Sequence, residues 1–108
     1  MKAMVLHGPR QPFVLENRPD PTPGNGEAVA RVLACGSGLT IQHVVAGRTA
    51  ANFPIVIGHE IAGEIVAIGP GGDGPGSDLA VGDAVTAYFY LWDGEDKWTR
   101  QGREPISP

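Results

Sequence analysis

The punctuation of this chain constrains it most. Sixteen glycines and ten prolines are spread through 108 residues, and they fall between short apolar runs. Proline fixes φ and removes a backbone donor, and glycine is costly inside regular elements, so both mark turns. Short apolar runs cut at such intervals are the texture of a small β-barrel or sandwich. The length suits a single compact domain over residues 1–108.

The runs can be placed individually. "KAMVLH", closed by Gly8-Pro9, predicts a first strand, and the alternating "FVLENR" predicts a second. Pro19–Glu27 is a stiff, turn-rich connection. "EAVARVLACG" is the clearest strand, with Val29, Arg31, Leu33 and Cys35 on one face and Ala28, Ala30, Val32 and Ala34 on the other. Ser37 offers a helix N-cap, "LTIQHVVA" suits a short helix, and Gly47 suits its end. "FPIVIGHE" and "EIAGEIVAIG" predict strands around a Gly-His-Glu corner. "GPGGDGPGSD" reads as a loop, and "LAVGDAVTAYFYLW" as a last strand pair about a Gly-Asp turn. The tail, "DGEDKWTRQGREPISP", is polar and separate in character.

Composition excludes several functions. The net charge is −4 and the eight Lys and Arg residues are scattered apart from a group near the C-terminus, so the basic face of a nucleic-acid binder is not expected. No apolar run approaches the roughly 20 residues of a membrane span. The opening "MKAMVLHGPR" lacks the features of a signal peptide, and a cytoplasmic location is expected. One cysteine makes no intramolecular disulfide.

Four features invite a chemical reading. "GPGGDG" (Gly69–Gly74) matches the dinucleotide pattern G-x-G-x-x-G. That pattern needs a helix N-terminus to carry the pyrophosphate, whereas Pro75, Gly76 and Ser77 follow, so a surface turn is expected. Cys35 as a nucleophile would need a lowered pKa and a nearby base; its place at a strand end, sharing a face with Val29 and Leu33, predicts a core thiol. Thr40 and His43 share a helix face, where a hydroxyl and an imidazole relay a proton or simply pack. His59 and Glu60 at a corner suit a metal or a hydrogen-bonded pair, but two residues do not complete a site.

The order of "KAMVLHGP", "PDPTPGNGEAVARVLACG", "LTIQHVVAG", "FPIVIGHEIAGEIVAIGPG" and "VGDAVTAYFY" resembles the N-terminal catalytic domain of the zinc-containing medium-chain alcohol dehydrogenases. The resemblance covers nearly the whole chain. It implies a mainly β, GroES-like, partly open barrel with one or two short helices. In that family the catalytic zinc takes a Cys from a strand-to-helix turn, the His of "GHE", and a third ligand from beyond this domain. The adjacent Glu is a nearby or alternate ligand, a Ser or Thr accepts the alcohol proton, and a His three places on passes it to solvent. Carried over, His59 and Glu60 match the metal-site pair, and Thr40 and His43 match the relay. The ligand Cys falls at Gly38, so the resemblance implies a vestigial catalytic site.

The tail continues the pattern. The family's structural zinc lobe spaces four cysteines C-x2-C-x2-C-x7-C; in the lobe expected over 92–108, those places hold Asp93, Asp96, Thr99 and Ser107. Carboxylates and hydroxyls do not reproduce a tetrathiolate site. A short metal-free helix over 95–101 is expected instead, with Asp93 as N-cap, Asp93–Lys97 and Asp96–Arg100 as i,i+4 pairs, Trp98 as anchor and Gly102 as terminator.

The resemblance implies an oxidoreductase of a family that uses zinc and NAD(P). For this chain the expectation is the substrate-side domain alone, zinc-free and inactive by itself, with no cofactor bound. Its partner would be an absent Rossmann domain of about 150 residues, and weak self-association is expected; no nucleic acid or membrane partner is. The alternative is a non-catalytic scaffold or binding module, natural or engineered.

Overall fold

A computed structural model describes residues 1–72, 78–88 and 96–103. The glycine and proline punctuation produces short strands. β1 (Lys2–Val5) and β2 (Val14–Asn17) form an antiparallel hairpin in which Ala3 faces Glu16 and Met4 faces Leu15. β3 (Ala28–Gly36), β4 (Glu60–Ile68) and β5 (Ala84–Ala87) form an antiparallel sheet in the order β3-β4-β5. One α-helix, α1 (Leu39–Val45), and a 3₁₀ turn, Thr99–Gln101, complete the regular structure among the described residues. The protein is mainly β, and its two sheets do not close on each other, consistent with a partly open barrel.

The core is small. Ala3 and Val5 of β1, Leu6, Val44 of α1 and Ile65 of β4 are its buried apolar members among the described residues. Alternation along β1 explains the first two, since Lys2 and Met4 face outward between them. Leu6 continues β1 into an antiparallel bridge with Ile55, and each backbone donates to the other. That bridge ties the hairpin to the segment leading into β4. No helix among the described residues is long and apolar enough to cross a membrane.

Several expectations need correction. β3 does not alternate cleanly between two faces, because register irregularities between Val29 and Ala30 and between Val32 and Ala34 interrupt its pairing with β4; such a bulge re-aims the side chains beyond it. Cys35 is therefore exposed rather than a core thiol. The N-cap of α1 is Gly38, not Ser37, and it makes no side-chain cap bond. Gly47 does end the helix: it has φ 72° and its N–H donates to Val44 O, a backbone state that glycine adopts without steric cost. The expected final strand pair is one strand, β5. Residues 80–83 form a turn in which Ala80 N donates to Asp83 Oδ2 at 2.7 Å, and the second expected strand falls partly outside the described residues. The 69–72 stretch is a turn, with Gly72 N donating to Gly69 O and Gly26 N to Pro70 O.

Candidate active site

The junctions at one end of the β3–β4 ladder build the candidate site. Gly36 ends β3 directly opposite Glu60, which opens β4. The chain then turns through Ser37 and Gly38 into α1, while His59 precedes Glu60 on the facing strand. The glycines allow the two segments to approach closely. A Cβ built on Gly36 would collide with Glu60 Oε2. A Cβ on Gly38 would lie 2.9 Å from His59 Cε1, 3.0 Å from His59 Nε2 and 3.6 Å from Glu60 Oε1. Position 38 thus faces the imidazole and carboxylate picked out in the sequence. Cys35, one residue before Gly36, lies opposite Ile61 instead, and its Sγ rests against Gly58.

An open pocket of about 200 Å³ adjoins this corner, lined by Thr40, Ile41 and Val44 of α1 and by residues 55–59. Thr40 and His59 therefore share one cavity. His43 lies a turn further along α1 and is half-buried, but it does not line that cavity. Its carbonyl is held by the amides of Arg48 and Thr49. Of the two helix residues, Thr40 lines the cavity together with His59. The apolar lining from Ile55, Val56 and Ile57 carried no spacing signal that distinguished it from core; only the Leu6–Ile55 bridge aims that segment at α1.

Zinc at this corner can be tested on the residues present. Structural and catalytic zinc sites take at least three protein ligands, with Zn–S about 2.3 Å and Zn–N about 2.0 Å, which at a tetrahedral angle separates sulfur and nitrogen by about 3.5 Å. A Cβ at position 38 would stand 3.0 Å from His59 Nε2, beside the imidazole, but residue 38 is a glycine. Position 38 supplies no donor, and no group of three His, Cys, Asp or Glu side chains suited to a metal occurs among the described residues. Among the described residues the corner offers His59 and Glu60, fewer than the three protein ligands that zinc takes.

In the tail, Asp96 Oδ1 accepts from the amides of Trp98 at 2.7 Å and Thr99 at 3.2 Å, and Thr99 Oγ1 donates to Asp96 Oδ2 at 2.6 Å. The expected helix is a single 3₁₀ turn over Thr99–Gln101, stopped at Gly102 with φ 68°. Asp93, Glu95 and Ser107 lie outside the described residues; the N-cap position of the turn is Trp98, and the side chain that takes its first amides is that of Asp96. The pattern D-x-x-T, an Asx side chain three places before a hydroxyl, was the available signal for it.

Comparison with known proteins decides the family. Residues 24–107 match the alcohol dehydrogenase GroES-like domain. The chain belongs to that family. This GroES-like domain is 35% identical to an acryloyl-coenzyme A reductase of Sulfurisphaera tokodaii, over 96% of the chain and 30% of the relative. It is 37% identical to an L-threonine 3-dehydrogenase of Saccharopolyspora erythraea, over 98% of the chain and 31% of the relative. The crystal structure of AibC superposes on the whole GroES-like domain with a TM-score of 0.87 at 32% identity, covering 30% of that protein. The chain thus spans about 30% of the length of the curated relatives it matches.

Proposed function

We propose that this GroES-like domain is the substrate-side part of an alcohol dehydrogenase-like oxidoreductase whose catalytic zinc site has been lost, and that the chain alone does not transfer hydride. The observation that carries the reading is the glycine at position 38, which faces His59 and Glu60 and brings no side-chain donor to them. Thr40, on the wall of the same pocket, would hold a substrate oxygen by a hydrogen bond. By resemblance His43 would take the proton onward to solvent. The nicotinamide would come from a cofactor domain, which the relatives' greater length allows for.

A second reading draws on the acryloyl-coenzyme A reductase relative. Reduction of a double bond conjugated to a thioester adds hydride to the β-carbon and a proton to the α-carbon. The thioester carbonyl already activates that alkene, so the chemistry asks less of a Lewis acid than oxidising an unactivated alcohol does. In that reading Thr40 or His59 would hold the thioester oxygen.

Metal analysis of the dialysed chain tests the main reading. Well under one zinc per chain is expected, and about one zinc per chain would overturn the lost-site claim. Incubation with NAD or NADP and a panel of primary and secondary alcohols should give no growth of reduced-cofactor absorbance above a heat-killed control.

A further inference from the structure

The lobe at residues 96–103 holds together in a way that a zinc site would not need. The inference rests on matching 93, 96, 99 and 107 to the four ligand places, and it is independent of the catalytic corner. Two of those places are described, and they are bonded directly to each other. Thr99 Oγ1 donates to Asp96 Oδ2 at 2.6 Å. Asp96 Oδ1 takes the amides of Trp98 and Thr99 at 2.7 and 3.2 Å. Both carboxylate oxygens are thus engaged within the lobe.

The backbone closes round the same point. Arg100 N donates to Asp96 O, Gln101 N and Arg103 N donate to Trp98 O, and Gly102 N donates to Thr99 O. Every amide from Trp98 to Arg103 therefore has an acceptor inside a segment of eight residues. Lys97 Nζ lies 4.4 Å from the centroid of the Trp98 ring and Arg103 Cζ lies 4.9 Å from it. These contacts bring the two ends of the segment onto one aromatic ring. The Trp98 side chain is half-buried.

We propose that Asp96, clamped to Thr99 and to the amides of Trp98 and Thr99, takes the place of the structural metal in this lobe and makes its fold independent of zinc. A metal in such a lobe fixes neighbouring ligand residues at one distance from a common centre. Here a charge-assisted hydrogen bond between the side chains at two of those places joins them without an intermediary. Oxygen donors already engaged in this way are poorly suited to a site that prefers thiolates.

The test is hydrogen exchange on the intact chain, read for the peptide covering 96–103, with amides of β3 and β4 as an internal control for global folding. At least tenfold slower exchange than an unstructured peptide is expected at Trp98–Arg103, the same with and without EDTA. Asp96→Ala should release most of that protection while leaving β3 and β4 unchanged. Asp96→Asn, whose amide oxygen still accepts from Trp98 and Thr99, should restore the greater part of it. Faster exchange on adding EDTA would overturn the proposal, as would an Asp96→Ala variant that exchanges like the parent. A variant whose β3 and β4 amides also exchange freely is replaced by Thr99→Val, which removes one bond of the clamp and should raise lobe exchange severalfold; no rise would equally overturn it.

Discussion

Gly63 illustrates how much a single missing methyl decides. It is buried in the middle of β4 opposite Val32, and a Cβ there would lie 2.7 Å from Arg31 O and 3.3 Å from Arg31 C. Those atoms are backbone, held by the ladder, and cannot swing aside. Gly63→Ala is expected to cost about 1–3 kcal/mol, as overpacking does, and to lower Tm by several degrees in a thermal melt. Gly38→Ala meets the edge of the His59 ring instead, which can turn, so its melting point should fall by less. Gly38→Cys brings a thiolate beside His59; a rise in zinc retention over the parent after dialysis is expected, short of one zinc per chain because a third ligand is still missing. Equal retention would show that position 38 and His59 do not hold an ion together. Gly38 was legible because the surrounding motif marks its place. Gly63 was not, since nothing in "EIAGEIVAIG" says which backbone lies beneath the glycine. Cys35 was misplaced for a related reason: the irregularities in β3 arise from pairing with β4, which strand alternation alone does not contain.

The hairpin of β1 and β2 carries a charge cluster at the scale of an element. His7, just beyond β1, bonds Glu16 of β2, and Arg18 Nε donates to the other Glu16 oxygen at 3.1 Å. The bond with His7 is the main influence holding the Glu16 carboxyl below its ordinary value of 4.5; partial desolvation opposes it and Arg18 adds to it. The sign follows from linkage. A carboxyl whose folded pKa is depressed contributes its stability in full above the unfolded value, and loses it as pH falls through the folded one. Protection of the hairpin amides, taken relative to the unstructured rate at each pH, should therefore fall below about pH 4.5, and Glu16→Gln should flatten that limb. A parent and variant with the same acid profile would remove Glu16 from the account. The existence of both strands was readable from alternation and from the Gly8-Pro9 stop. The cluster was not, because His7, Glu16 and Arg18 meet only once the antiparallel register places Ala3 against Glu16. The last strand pair failed for a different reason. "LAVGD" has apolar strand composition, but Asp83 folds back to cap Ala80 N, and a local side-chain bond of that kind competes with a ladder.

At the scale of the whole molecule, the fold is a shell with too little inside it. Its radius of gyration is 15.7 Å, against about 13 Å for a compact chain of this length. Among the described residues few apolar side chains are buried, while Val32, Leu33, Leu39 and Val56 are each more than half exposed. β3 is an edge of the β3-β4-β5 sheet, nine residues long, and Arg31 is its only charged residue. A long edge with one charge is a template for pairing with another chain, and exposed apolar area adds to that tendency. The mainly β class was legible in the punctuation, but this openness was not: periodicity identifies which residues could be buried, not whether anything covers them. The chain should therefore self-associate weakly. In sedimentation equilibrium the average mass should rise above the 11.3 kDa of the single chain between micromolar and millimolar concentration. Leu33→Glu, which puts a second charge on the edge strand, should push that rise to higher concentration, whereas Leu15→Glu on the separate hairpin should shift it less. A parent chain that stays strictly monomeric to millimolar concentration would mean that the exposed edge and its apolar face do not attract a second copy, and that its openness alone does not drive association.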